Sequence, residues 1–193
     1  MRPVTILAVI FVLTTLMACT DTVAPRINTP AQVLEFLEES FNRQELSVLY
    51  KYLRSDFVFY FDPDNVGDEI DGFTIPVSWD RYNIFGACSN MFEEAYSIDF
   101  EVVTAGVGDP DDEATTYSAY NVQIRLVVMT DALNGHLADG YCDFEFIYNG
   151  PSGYGGYGWE VSKWYDRTSP IGSTGLSNNT TPKSLGLILA YYY

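Results

Sequence analysis

Tyr120-Asn121-Val122-Gln123-Ile124-Arg125-Leu126-Val127-Val128 alternates apolar with polar side chains along most of its length. A period of two puts Tyr120, Val122, Ile124, Leu126 and Val128 on one face of a strand and Asn121, Gln123 and Arg125 on the other. The same pattern occurs on either side: Tyr96, Ile98, Phe100 and Val102 oppose Ser97, Asp99 and Glu101, and Cys142, Phe144, Phe146 and Tyr148 oppose Asp143 and Glu145. Together they predict one curved sheet with one wet face. Asp109-Pro110-Asp111-Asp112 and Asn134-Gly135 read as the turns between them, the second as a hairpin signal. Tyr157 to Asp166 closes the series, with Trp159, Val161 and Trp164 placing aromatic bulk on both of its faces.

Upstream the period changes. Thr29-Pro30 opens a helix with Thr29 as cap, and Val33, Leu34, Leu37 and Phe41 follow at helical spacing. A second short helix runs through Leu46, Leu49, Tyr50 and Leu53. Asp56 to Asp62 alternates again, with Phe57, Phe59 and Phe61 on one side and Val58 and Tyr60 on the other, a strand apolar on both faces. Asp62 to Pro76 reads as an acidic loop and Trp79 to Phe92 as a third helix. The stretch from Thr168 to Pro182 is rich in Ser, Thr, Gly, Asn and Pro and reads as irregular. Leu185 to Tyr193 is apolar enough that exposure would be costly, so it is expected to dock on the domain or at the mouth of a cavity. No internal repeat is visible.

The 26 acidic residues against 10 basic ones give a net charge of −16. Such a surface repels phosphate backbones, which argues against a nucleic-acid partner, and it repels anionic headgroups as well. At the N-terminus Arg2, the apolar run Val4 to Leu16 and Leu16-Met17-Ala18-Cys19 resemble a bacterial lipoprotein signal peptide, residues 1–18. The resemblance implies a diacylglyceryl thioether on Cys19, a membrane partner reached through that lipid, and a domain held outside the cytoplasm in a bacterial cell envelope. Residues 19–28 then form the lipidated cysteine and its tether, roughly 30 Å at full stretch. About 175 residues remain, enough for one domain with a real core.

Thr29-Pro30-Ala31-Gln32-Val33-Leu34, Phe41-Asn42-Arg43-Gln44-Glu45-Leu46, Leu53-Arg54-Ser55-Asp56-Phe57-Val58-Phe59 and Trp159-Glu160-Val161-Ser162-Lys163-Trp164 resemble the NTF2-like (SnoaL-like) superfamily. The resemblance covers residues 29–167 and leaves 168–193 as an irregular tail with an apolar end. It implies an α+β cone, three N-terminal helices packed on a curved antiparallel sheet. It also implies a pocket between helices and sheet, lined here by Phe59, Tyr60, Phe85, Phe100, Tyr120, Ile124, Phe144, Phe146 and Trp159. An open cone suits a small apolar or aromatic ligand bound without catalysis. A cone filled by the same side chains suits a structural or assembly module of the envelope.

Asp62-Pro63 resembles in type and approximate place the general-base dipeptide of the ketosteroid isomerase branch, so Asp62 is a weak catalytic candidate for isomerase, dehydratase or cyclase chemistry. The match is partial. An ungapped alignment is one residue out of step there, and Leu37 lies where that branch has an oxyanion-holding tyrosine. The alternative is a turn-forming Asp-Pro. His136, the only histidine, follows Asn134-Gly135 and is expected to be solvated.

Asp62, Asp64, Asp68, Glu69 and Asp71 invite a calcium reading, but Val66 and Phe73 stand where ligating side chains belong, and no metal or cofactor is expected. Cys88 and Cys142 both fall on apolar faces, leaving a disulfide or two buried thiols as the alternatives. Arg125 has Asp143, Glu145 or Lys163 as prospective cross-strand neighbours, on a face that serves either as a salt-bridged exterior or as a homodimer contact.

Overall fold

Thr29 has extended backbone angles, and its hydroxyl accepts the Gln32 N–H while the Gln32 side chain accepts the Thr29 N–H. That capping box, with Pro30 next, starts helix α1 (Pro30–Asn42), which buries Val33, Leu34, Leu37 and Phe41. The computed structural model describes residues 28–150, 158–168 and 179–193. The proposed signal peptide, Cys19 and most of the tether lie outside them, as does much of the stretch read as irregular.

After α1 come α2 (Leu46–Tyr52), β1 (Leu53–Tyr60), a two-strand hairpin of β2 (Glu69–Ile70) and β3 (Phe73–Thr74), and β4 (Ser78–Asp80). Helix α3 (Arg81–Glu94) follows, then β5 (Ser97–Val102), β6 (Thr116–Met129), β7 (Asn134–Tyr148), β8 (Trp159–Arg167), β9 (Asn179–Pro182) and α4 (Leu185–Tyr191). Only two helices therefore precede the sheet, not three. Asp80 caps α3 by accepting the Asn83 N–H at 3.0 Å, which delays the helix start and leaves Trp79 on a strand opposite Phe59.

The main sheet runs β4-β1-β8-β7-β6-β5, with β9 on the remaining edge of β7. It is mixed, not antiparallel throughout, because β1 pairs with β8 and β9 with β7 in parallel. Phe57, Phe59 and Phe61 of the β1 segment turn into the core while Val58 and Tyr60 stay half-buried.

Two bulges set which side chains face inward. On β6 the register slips by one residue between Ala119 and Val122, and Asn121 takes φ 55°, its N–H held by the Asp143 carboxylate at 2.9 Å. Ala119 and Val122 then both face the core and Tyr120 is turned out, 69% exposed. On β8 the slip falls at Ser162, whose hydroxyl donates to the Glu145 carbonyl at 3.0 Å, so Val161 and Trp164 both point inward although three residues apart.

The β6–β7 turn lies earlier than Asn134-Gly135. The Asp131 carboxylate accepts the Leu133 and Asn134 N–H groups at 2.7 and 2.8 Å, and β7 already begins at Asn134. Gly135 serves close approach instead: a Cβ there would lie 2.5 Å from the Val128 carbonyl oxygen.

Sheet edges are closed by polar side chains and by the C-terminal segment. Asn42 donates to the Phe100 carbonyl at 2.8 Å and accepts the Phe100 N–H at 2.7 Å, while Glu38 accepts the Val102 N–H at 2.9 Å. Edge strand β5 thus presents fewer free backbone groups. On β7, β8 reaches only Tyr141 to Tyr148, and β9 pairs with Asn134 to Leu137. Helix α4, capped by Ser184, packs against α3 and β7 and buries Leu185, Ile188 and Leu189 in the same core as α1. Asn42→Ala is expected to lower stability by about 1–3 kcal/mol, because it leaves both Phe100 backbone groups without their partner. Equilibrium urea unfolding measures it, and an unchanged midpoint would count against that role of Asn42.

Candidate functional site

The cone interior is occupied by rings. Trp164 meets Phe144 at 5.0 Å, Phe59 at 5.8 Å and Phe100 at 6.4 Å between centroids, and Phe41 of α1 meets Phe100 at 4.7 Å. Phe59, Phe100, Ile124, Phe144, Phe146 and Trp159 are each 0–1% exposed. They are core, not the pocket lining expected of them. Tyr120 is ejected by the β6 bulge. Phe85 lies outside the core, stacked on Tyr50 at 5.1 Å, with the Arg81 guanidinium 3.9 Å from the Tyr50 centroid.

Of the nine residues assigned to a pocket, Tyr60 lines a groove at the ends of β1 and β8, while Phe146 and Tyr120 border smaller hollows of about 210 and 180 Å³. Parallel strands β1 and β8 end side by side, and the chain leaves β1 through Phe61 into the 62–77 loop. Tyr60, Phe61, Pro63, Val66, Val77, Tyr165, Asp166 and Arg167 there enclose about 460 Å³. The register Tyr60↔Tyr165 sets the two phenol rings parallel at 4.7 Å and 9°, a flat apolar wall.

The polar groups of Tyr165, Asp166 and Arg167 at the groove have protein partners. The Tyr165 hydroxyl donates to Glu145 at 2.9 Å, Lys163 pairs with Glu145 at 2.9 Å, and Arg167 pairs with buried Asp143. Asp166 is almost fully buried: its carboxylate accepts the Thr168 N–H at 2.9 Å, the Thr168 hydroxyl, and the Gly186 N–H at 2.7 Å. Burial pushes its pKa up to about 6, the three donors pull against that, and the Asp62 charge adds to it.

Asp62 itself caps the short 3-10 turn Pro63–Asn65, accepting the Asp64 N–H at 2.8 Å, and does not line the groove. It behaves as the turn-forming Asp-Pro. Cys88 and Cys142 are both buried free thiols, with no disulfide, and burial raises the pKa of each. Arg125 reaches Asp99 on β5 at 3.4 Å rather than β7 or β8. His136 lies within β7, half-buried with Tyr191 at 4.8 Å, and burial followed by the Lys183 charge lowers its pKa to about 4. It is not the solvated turn histidine expected. Among the described residues no three His, Cys, Asp or Glu side chains converge as metal ligands, and no helix is long and apolar enough to cross a membrane.

No protein-family model matches the sequence, and no curated protein matches it. Solved structures do. A conserved protein from Planctomyces limnophilus DSM 3776 superposes with a TM-score of 0.52 at 13% identity, covering 72% of this chain and 93% of that one. The helices packed on a curved sheet in the order above decide the architecture. The element order matches that expected of an NTF2-like cone. An NTF2-like superfamily protein from Salmonella enterica serovar Typhimurium LT2 gives 0.49 at 9% identity over 76% of this chain and 92% of that one. An NTF2-like protein of unknown function from Shewanella baltica OS155 gives 0.45 at 13% identity, with coverages of 72% and 90%. At 13% identity the likeness to the Planctomyces limnophilus protein carries the fold and no activity.

Within this cone Asp166 is a buried carboxylate that sequence reading missed, because neither Asp166 nor Thr168 stands in a recognisable motif. Its folded pKa near 6 lies above the ordinary aspartate value of 3.8. Its contribution to stability is therefore fullest below pH 4 and is lost as pH rises through 6, by on the order of 3 kcal/mol. Urea unfolding of the protein and of Asp166→Asn across pH 4 to 7 is expected to show the stability advantage of the unaltered protein shrinking as pH rises. Parallel pH profiles would remove Asp166 as the source.

Proposed function

We propose that the protein is a lipid-anchored module of the bacterial envelope that binds a small apolar or aromatic molecule without catalysis. The binding site is the groove at the ends of β1 and β8 and not the cone interior. The observation that carries this reading is the groove itself: about 460 Å³, within the range of small-molecule sites. Its walls are a stacked tyrosine pair, Phe61, Pro63 and two valines, and the polar groups of Tyr165, Asp166 and Arg167 are held by protein partners. A ligand there gains by burying apolar area and loses little by failing to hydrogen-bond. Asp62 caps a turn and is not in the groove lining, and Asp166 accepts three donors, which supports binding without catalysis.

Native mass spectrometry of residues 20–193, which contain the whole hydrophobic core, tests the reading when run with and without envelope extract. The expected result is a small-molecule adduct that disappears in Val77→Trp, where an exposed groove residue is enlarged to fill the site. The ring-filled cone favours a second reading, an assembly module, and bare protein at one defined oligomeric mass would transfer support to it.

The anchor rests on the signal-like N-terminus and Cys19. Cys19→Ser is expected to abolish the diacylglyceryl mass on the protein and its sedimentation with membranes. A membrane-bound Cys19→Ser protein would rule out lipidation at that residue as the anchor.

A further inference from the structure

The groove and the C-terminal segment share their walls. Phe61 lines the groove and also lies against Gly186, where an added Cβ would come 2.6 Å from Phe61 Cδ1. Asp166 lines the groove and holds the Gly186 N–H, and Thr168, bonded to Asp166, accepts the Leu185 N–H at 2.6 Å. The start of α4 is thus tied to the β8 wall.

The opposite wall is braced by the last residue. Val66 and Val77 belong to a loop closed on itself by bonds from the Gly67 N–H to the Ile75 carbonyl at 2.9 Å and from the Ile75 N–H to the Asp68 carbonyl at 2.8 Å. Between them, Phe73 meets Tyr193 at 5.0 Å. Tyr193 also meets Trp79 at 4.7 Å, and its hydroxyl accepts from Asn83 at 2.7 Å. The preceding residue is held by Asn90, which donates to the Tyr192 carbonyl at 2.8 Å.

We infer that residues 183–193 form a latch that sets the groove's competence to bind: seated, it fixes both walls at the spacing that admits a small aromatic ligand, and unseated, it releases them. This rests on the groove being the ligand site. Leu185, Ile188, Leu189 and Tyr192 are core, but Tyr193 is half-exposed, so its ring can swing off the loop wall without emptying the core. Linkage is reciprocal: whatever factor the seated latch adds to ligand affinity, the ligand adds to latch seating.

The probe is prodan, a neutral naphthalene dye whose emission shifts on entering an apolar site, titrated into residues 20–193. Tyr193→Ala removes the ring from the loop wall and Asn90→Ala removes one latch bond, and neither residue lines the groove. Prodan affinity is expected to fall by about tenfold in Tyr193→Ala and less in Asn90→Ala, and saturating dye should slow hydrogen exchange at the Gly186 amide of the unaltered protein. Cooperative urea unfolding checks that each variant is folded; if Tyr193→Ala is not, Asn90→Ala and the exchange measurement decide. Equal affinity in the folded variants, with Gly186 exchange unaffected by dye, would overturn the latch and leave the groove standing. Failure of the unaltered protein to bind prodan would overturn the groove as a site for such ligands, and the latch with it.

Discussion

Trp164 stands at the centre of the fold, and the rest of the molecule is arranged around its ring. It sits on β8, flanked by β1 and β7, and touches Phe59 and Phe144 from those neighbours and Phe100 from the far edge of the sheet. From Phe100 the contacts run through Phe41 to Phe92, and from Phe59 through Phe61 to Trp79, so a continuous row of rings crosses the concave side. Each such pair adds roughly 0.5–1.5 kcal/mol beyond the area it buries. The larger consequence is geometric: a cone filled this way has no room among those rings for a ligand, and the space for one moves to the rim where β1 and β8 end.

The second constraint is the demand of backbone groups for partners. β7 is longer than β8, so Asn134 to Leu137 would be left with an open edge, and β9 closes it. That pairing brings the chain back over the sheet and delivers α4 onto α3 and β7. Seating α4 then requires its first N–H groups to be satisfied in a buried place, and Asp166 and Thr168 do this. One buried carboxylate therefore joins the groove, the last long strand and the C-terminal helix. Its raised pKa follows from that burial and makes the junction sensitive to pH.

Much of the fold was legible in the sequence because it depends on local chemistry. The Thr29 cap, the two first helices, the inward phenylalanines of β1 and the alternation of β5, β6 and β7 all follow from spacing and capping rules. Two of the expectations that fail turn on residues distant in sequence and the third on a carboxylate three residues away. Tyr120 was assigned inward because parity was carried unbroken through Asn121, whose positive φ depends on Asp143, twenty-two residues away. The hairpin was placed at Asn134-Gly135, whereas the Asp131 carboxylate folds the turn just before it. The sheet was taken as antiparallel, although the β1–β8 pairing joins strands from opposite ends of the domain.

By itself the sequence determined the kinds of element, the faces they bury, the acidic surface and the aromatic wealth of the core, since each is set by residue type and near spacing. Whether those aromatic side chains line a cavity or fill it was decided only in three dimensions. The difference is an ångström-scale matter of how rings from separate strands approach one another, and no spacing along the chain encodes it. The groove is likewise a product of tertiary structure alone: Tyr60 and Tyr165, more than a hundred residues apart, become one wall only because two strands are paired in parallel and in that register.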